Sequence, residues 1–174
     1  MNRRRLLETG AGGVVLLALG GCAPAGGATG TFDDPGYSYR ALTPGDRNTI
    51  AAIAAVVLAG SLPAESAARA AASIEVVRGV DVAISGLPPS VQEEIGQLFG
   101  LLRFPPTRAL AAGIWRPWES AGTESVSNFL TGWRFSGVAL FRSGYQALHQ
   151  LVMASWYGNG ASWAGIAYPG PPRV

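Results

Sequence analysis

Between Ser136 and Trp156 the residues Val138, Phe141, Tyr145, Leu148, Val152 and Trp156 recur at steps of three and four. That period places all six on one face of an α-helix, and no stretch of the chain shows the sustained alternation that a half-buried strand needs. At 1.5 Å per residue the helix would be roughly 30 Å long, the span of a small domain. Arg142, Gln146, His149 and Gln150 interrupt it, so it is not expected to cross a membrane.

The rest of the chain is cut into helices by Pro and Gly. Thr43 reads as an N-cap with Pro44 at the first helical position and Asp46 at the positive end of the dipole. Ile50, Ile53, Ala54, Val57 and Leu58 then keep helical spacing up to Gly60. Pro63 opens a second helix to about Ser85, with Ile74, Val77 and Val80, preceded by Ala70 and Ala71, as its buried stripe. Gly86 with Pro88-Pro89 ends it. A third runs from Ser90 to about Leu102 on Val91, Ile95, Leu98, Phe99 and Leu102, with Glu93-Glu94 in its first turn. Phe104-Pro105-Pro106 breaks the pattern before a short piece from Thr107 to Ala112. Another short helix, Thr123 to about Trp133, puts Val126, Phe129 and Leu130 inside and Ser125 and Asn128 on a solvent or interface side. The expected fold is all-α: one compact helical domain over residues 42–156, followed by an extended aromatic, Pro-rich segment over 157–174.

Composition then limits the chemistry. Only 14% of the 174 residues are charged, against about 25% in a typical soluble domain, while 48% are hydrophobic. Such a chain is not disordered, and part of its apolar surface is expected to meet a partner. With one Cys and one His, no His/Cys zinc cluster can be assembled. All thirteen basic residues are Arg, so Schiff-base and P-loop chemistry are absent. His149 is the single candidate acid or base, and the chain is expected not to be an enzyme. Asp33-Asp34 and Glu93-Glu94 read as turn and helix-terminal charges rather than metal ligands.

The first residues have the physics of an address. Arg3, Arg4 and Arg5 precede Leu6-Leu7, and the uncharged run Thr9 to Gly21 is too short to span a bilayer, which takes about 20 residues. It fits the apolar region of a signal peptide, and the paired arginines Arg3 and Arg4 resemble a twin-arginine export signal over residues 1–21, engaging the twin-arginine translocase. Leu19-Gly20-Gly21-Cys22 resembles a lipoprotein box, with Cys22 taking the lipid. The competing reading is plain cleavage between Ala23 and Ala28. The expectation is a periplasmic protein anchored to the membrane through that lipid, with residues 22–41 as a flexible tether. Removing residues 1–21 takes three of the thirteen arginines and one of the eleven acidic residues, leaving ten of each. The net charge of +2 therefore belongs to the leader, and a nucleic-acid partner loses its support.

The twin-arginine route carries folded proteins, commonly because a cofactor is inserted before export. This chain has no cofactor motif of its own, which points to a leaderless companion that holds one. Surfaces for that companion are expected at the aromatic segment, through Trp156, Tyr157, Trp163 and Tyr168, and at a second cluster on a Pro-bearing loop, through Trp115 and Trp118. His149 borders the helical stripe beside Tyr145 and reads as a hydrogen-bonded core or contact histidine, the alternative being a residue that reaches the companion's pocket.

Taken together, the twin-arginine leader, Leu42-Thr43-Pro44, Trp133-Arg134, Gly144-Tyr145-Gln146-Ala147-Leu148-His149 and the ending Trp156-Tyr157-Gly158-Asn159 through Tyr168-Pro169-Gly170-Pro171-Pro172 resemble a known family. It is the small (gamma) subunit of periplasmic FAD-dependent sugar and alcohol dehydrogenases, the gluconate 2-dehydrogenase subunit 3-like family. The resemblance is most specific over the last forty residues and weak across the alanine-rich middle. It implies a helical, non-catalytic subunit that co-exports, matures and stabilises a large glucose-methanol-choline-type subunit, which holds the FAD, with a multi-haem cytochrome c as a third chain in some members. The lipoprotein box is a departure from that pattern. The alternative class is a stand-alone periplasmic lipoprotein acting as a scaffold or binding module.

Overall fold

A computed structural model describes residues 31–170 of the chain. Among these residues there are six α-helices and no strand, which makes the fold all-α. They are α1 (Pro44–Val57), α2 (Ser66–Ser85), α3 (Pro89–Arg103), the single turn α4 (Pro105–Thr107), α5 (Thr123–Arg134) and α6 (Ala139–Tyr157). A π-helical turn, Arg108–Ala112, follows α4, and 3-10 turns occupy Trp118–Ser120 and Gly160–Ile166. No described helix is long and apolar enough to cross a membrane.

Helix α1 is the axis of the molecule. Thr43 caps it as expected, its hydroxyl accepting from the Asp46 N–H while Asp46 Oδ2 accepts from the Thr43 N–H at 2.9 Å. From Thr49 to Ala54 every residue is buried, so α1 is enclosed on all sides rather than along one stripe. Ala51, Ala52 and Ala54 make that enclosure achievable by letting neighbours approach. Helices α2, α3, α5 and α6 pack around it.

Helix α2 starts at Ser66, where the Glu65 carboxylate accepts from the Ala67 and Ala68 N–H groups at 2.8 and 2.6 Å. Those bonds hold the Glu65 carboxyl below its ordinary range. Its buried residues are Val76, Val77, Val80, Asp81 and Ile84. Ala70 and Ala71, expected on that stripe, are exposed, because the N-terminal part of α2 is not covered by its neighbours. Further along, α2 and α6 close to backbone distance: a Cβ at Gly79 would lie 2.8 Å from Ser155 Cβ. Helices α5 and α6 meet in the same way at Gly144, where a Cβ would sit 2.6 Å from Trp133 Cζ3. Helix α6 begins at Ala139, three residues later than its apolar period suggests. Ser136 and Val138 are held in a turn instead, with Ser136 Oγ accepting from the Val138 N–H at 3.1 Å and the Ser136 carbonyl accepting from Arg142 at 2.6 Å.

The expected tether, residues 22–41, requires correction over the part that is described. Residues 31–42 lie docked on the bundle. Asp81, fully buried on α2, accepts from the N–H groups of Arg40, Ala41 and Leu42 at 2.8–3.1 Å and from the Tyr37 hydroxyl at 3.3 Å. Asp34, also buried, takes a two-pronged ion pair from Arg78 at 2.7 and 2.8 Å and a bond from the Tyr39 hydroxyl at 2.8 Å. The Phe32 N–H donates to Asn48 at 2.8 Å. Two carboxylates thus give a polar segment the partners its backbone needs.

Candidate functional site

The sequence-predicted contact residues separate into two groups. Trp118 and Trp156 are core residues, 2% and 7% exposed, and the expectation that they form a partner surface is corrected. Trp118 is drawn inward because its indole N–H donates to the Leu102 carbonyl at 2.8 Å, and its ring meets Phe129 edge-on. Trp156 closes the apolar stripe of α6. Trp115, three residues from Trp118, is 79% exposed. Tyr157 is half-buried, its hydroxyl 3.5 Å from Ser61 Oγ. Trp163 is half-buried and donates to the Tyr157 carbonyl at 2.8 Å, while Tyr168 stands exposed against its ring edge. Arg3, Arg4 and Cys22 lie outside the described residues, as does the end of the aromatic segment from residue 171.

A groove of about 460 Å³ lies between the π-turn, α5 and the start of α6. Its walls are Ala111, Ala112 and Gly113 on one side, Ser125, Asn128, Phe129 and Gly132 along α5, and Trp133 and Phe141 at the floor. Ser125 and Asn128 thus occupy the outward side assigned to them. No charged side chain lines the groove. Gly113, with φ +69°, lets the chain reverse after the π-turn.

Why the floor is rigid follows from the rings. Trp118, Phe129, Trp133 and Phe141 form a continuous series with centroid separations of 5.6, 4.8 and 5.1 Å, running from the core to the surface. The Trp133 indole N–H donates to the Ala111 carbonyl at 2.7 Å and ties one wall to the floor. Along the chain, large apolar side chains flank both walls and point to solvent. Leu110, 85% exposed, and Trp115 bracket Ala111–Gly113, and Phe135, Val138 and Leu140 lie between Trp133 and Phe141. Large apolar side chains exposed on either side of the groove-lining segments in the chain make this face a candidate interaction surface.

Sequence periodicity missed Leu110, Phe135 and Leu140. The available signal was that Phe135 and Leu140 sit off the helical stripes that include Leu130, Trp133, Phe141 and Tyr145, a poor place for a large apolar residue unless something covers it. His149 is half-buried on α6 beside Tyr145, ring centroids 5.5 Å apart, and lines a second, smaller cavity. Among the described residues no group of three or more His, Cys, Asp or Glu side chains gathers as a metal site. No family model, no curated protein and no solved structure matches the chain.

Proposed function

We propose that this protein is the non-catalytic small subunit of a periplasmic dehydrogenase, which co-exports and stabilises a leaderless, FAD-holding large subunit of the glucose-methanol-choline type. The observation that carries the reading is the apolar face around the π-turn groove. Leu110, Trp115, Phe135, Val138 and Leu140 are all exposed on a chain with few charges to keep it soluble. Water is a poor environment for five such side chains, and an obligate companion removes the cost. The charged residues beside them in the chain, Arg116, Arg134 and Arg142, are all cationic, so a matching surface carries carboxylates at its rim. Arg3 and Arg4 supply the export signal, Cys22 the lipid, and FAD and turnover belong to the companion. A multi-haem cytochrome c is the electron acceptor that such an assembly would use.

Purifying the native assembly through a tag on this chain tests the reading. The expected result is a larger co-purifying chain with stoichiometric FAD and dehydrogenase activity toward a sugar or alcohol. A monodisperse chain that elutes alone, or one that binds flavin and turns over unaided, would overturn it.

A further inference from the structure

We propose that the small cavity between α1, α5 and α6 is a carboxylate-binding site, with Arg134 as its cationic arm and the His149 ring N–H as a second donor. This assignment does not rest on the identity of the companion. The cavity, about 220 Å³, is lined by Val56 and Val57 of α1, Ser127, Leu130, Thr131 and Arg134 of α5, Phe135, and Tyr145 and His149 of α6. Five of these side chains can donate a hydrogen bond: Ser127, Thr131, Arg134, Tyr145 and, through its ring N–H, His149. Among the described residues none of the five is engaged by another side chain or backbone group in a hydrogen bond or ion pair.

Helical spacing brings them together. Ser127, Thr131 and Arg134 stand at i, i+4 and i+7 on α5, and Tyr145 and His149 at i and i+4 on α6. The Arg134 guanidinium lies 5.2 Å from the Phe135 ring centroid and 6.0 Å from that of Tyr145. Those ring faces orient the cation without neutralising it. Arg78 and Arg103, by contrast, each pair with an aspartate. No carboxylate lines the cavity. What its chemistry lacks is therefore an anionic acceptor.

The planar fork of Arg matches the two oxygens of a carboxylate. Val56, Val57 and Leu130 give one apolar wall, which suits the short aliphatic stem that a carboxylate carries and a bare phosphate does not. The nearby C-terminal end of α1 would disfavour an anion. Its carbonyls at Ala54, Val56 and Leu58 are, however, already taken by the N–H groups of Leu58, Ala59 and Ser61. Facing His149 across the cavity are Arg134 from α5 and Tyr145 from its own helix, with no charged group from α1. The carboxylate can belong to a free small acid or to an acidic side chain or chain terminus of another protein.

His149 is the sole histidine, so its imidazole NMR signals report on the site without ambiguity. The full chain, kept in detergent, is titrated with sodium acetate, with sodium phosphate and with sodium chloride at matched ionic strength. Acetate should move the His149 ring resonances saturably, with a Kd on the order of 10 mM, and chloride should not. Arg134→Gln should weaken acetate binding at least about tenfold, the loss of a charge-assisted bidentate contact, whereas Arg116→Gln should leave it unchanged. Repeating the titration on the purified assembly separates the two sources. Ring shifts already displaced and insensitive to acetate indicate a protein carboxylate in place, and a preserved titration indicates a free acid. Acetate acting no differently from chloride, Arg134→Gln titrating like the unaltered chain, or phosphate binding more tightly than acetate would overturn the assignment.

Discussion

The N-terminal arm and the groove face are opposite solutions to the same shortage of charge. In the arm, Phe32, Tyr39, Ala41 and Leu42 pack on the core, and the polar backbone between them is held down by Asp34 and Asp81, both buried and both supplied with donors. On the groove face, bulky apolar side chains are left in water although no carboxylate competes for the space. Three of the four aspartates, Asp34, Asp46 and Asp81, are turned inward. Carboxylates therefore fasten the chain to itself, and greasy surface is kept for something outside it.

The largest effect tests whether the two tryptophans of one loop really lie on different sides of that division. Trp118→Ala should cost about 3–5 kcal/mol of unfolding free energy, the usual range for truncating a buried large aromatic. It also strands the Leu102 carbonyl and opens the ring series at its inner end. Chemical denaturation measures it. A loss of under about 1 kcal/mol would mean that the loop rearranges freely and that the groove floor is not anchored in the core.

Next comes the arm. Asp81→Ala removes the acceptor for three backbone N–H groups and the Tyr37 hydroxyl. The cost is expected at about 2–4 kcal/mol, from buried donors left without partners. It has a ceiling, since the arm can peel into water and take its N–H groups along. Hydrogen exchange should show residues 37–42 losing protection while α5 and α6 keep theirs. Uniform loss across the bundle would break the distinction between the arm and the body.

A smaller, reversible version of the same experiment uses pH. Hydrogen bonds from Arg78 hold the Asp34 carboxyl below its ordinary value of 3.8, against the opposing effect of burial and with help from the Tyr39 hydroxyl. A lowered carboxyl contributes stability that is present above its unfolded pKa and lost as pH falls through the folded value. Arm protection should accordingly fall off in acid below about pH 4. Burial raises the Tyr39 hydroxyl, and the bond to Asp34 raises it further; burial and then Asp81 raise Tyr37. A raised phenol contributes stability that is complete below its unfolded value near 10 and is lost as pH climbs past it. Exchange of residues 31–42 should hence accelerate at both extremes, and an arm insensitive to acid would show that the Asp34–Arg78 pair does not hold it.

How far the sequence announced these features depends on which physical signal each one left. Helix positions were legible because Pro44, Gly86 and Pro105 punctuate them and because Leu148, Val152 and Trp156 keep step on α6; Pro63, read as opening α2, stands three residues before it, and Glu65 makes the cap instead. Asp81 was legible in principle: it stands four residues after Val77 and three before Ile84, so the α2 period places a carboxylate on the buried face. Its partners were not, since Arg40, Ala41 and Leu42 contribute only backbone, which leaves no mark in composition. The reversed fates of Trp115 and Trp118 were equally hidden. Both are Trp beside a proline or an arginine, and what separates them is the free carbonyl at the end of α3 that Trp118 finds. Aromatic content signals large contact area but not whether that area is turned inward.

The smallest effect on stability is the one that bears most on function. Trp115→Ala should change unfolding free energy by no more than about 0.5 kcal/mol, because an exposed side chain away from caps, cavities and buried pairs contributes little to the folded state. If the groove face meets the companion, the same substitution should sharply lower the yield of co-purified large subunit, as expected of an aromatic anchor at the centre of an interface. Leu140→Ser, on the other wall, should behave alike in both respects, whereas Arg69→Ala, exposed on the uncovered end of α2, should leave the yield unchanged. A Trp115→Ala chain that is as stable as before and still retains its companion at full yield would place the contact elsewhere, with Trp163 and Tyr168 as the surface to truncate next. A chain that loses stability instead would show that Trp115 belongs to the fold after all, and the contrast with Trp118 would collapse.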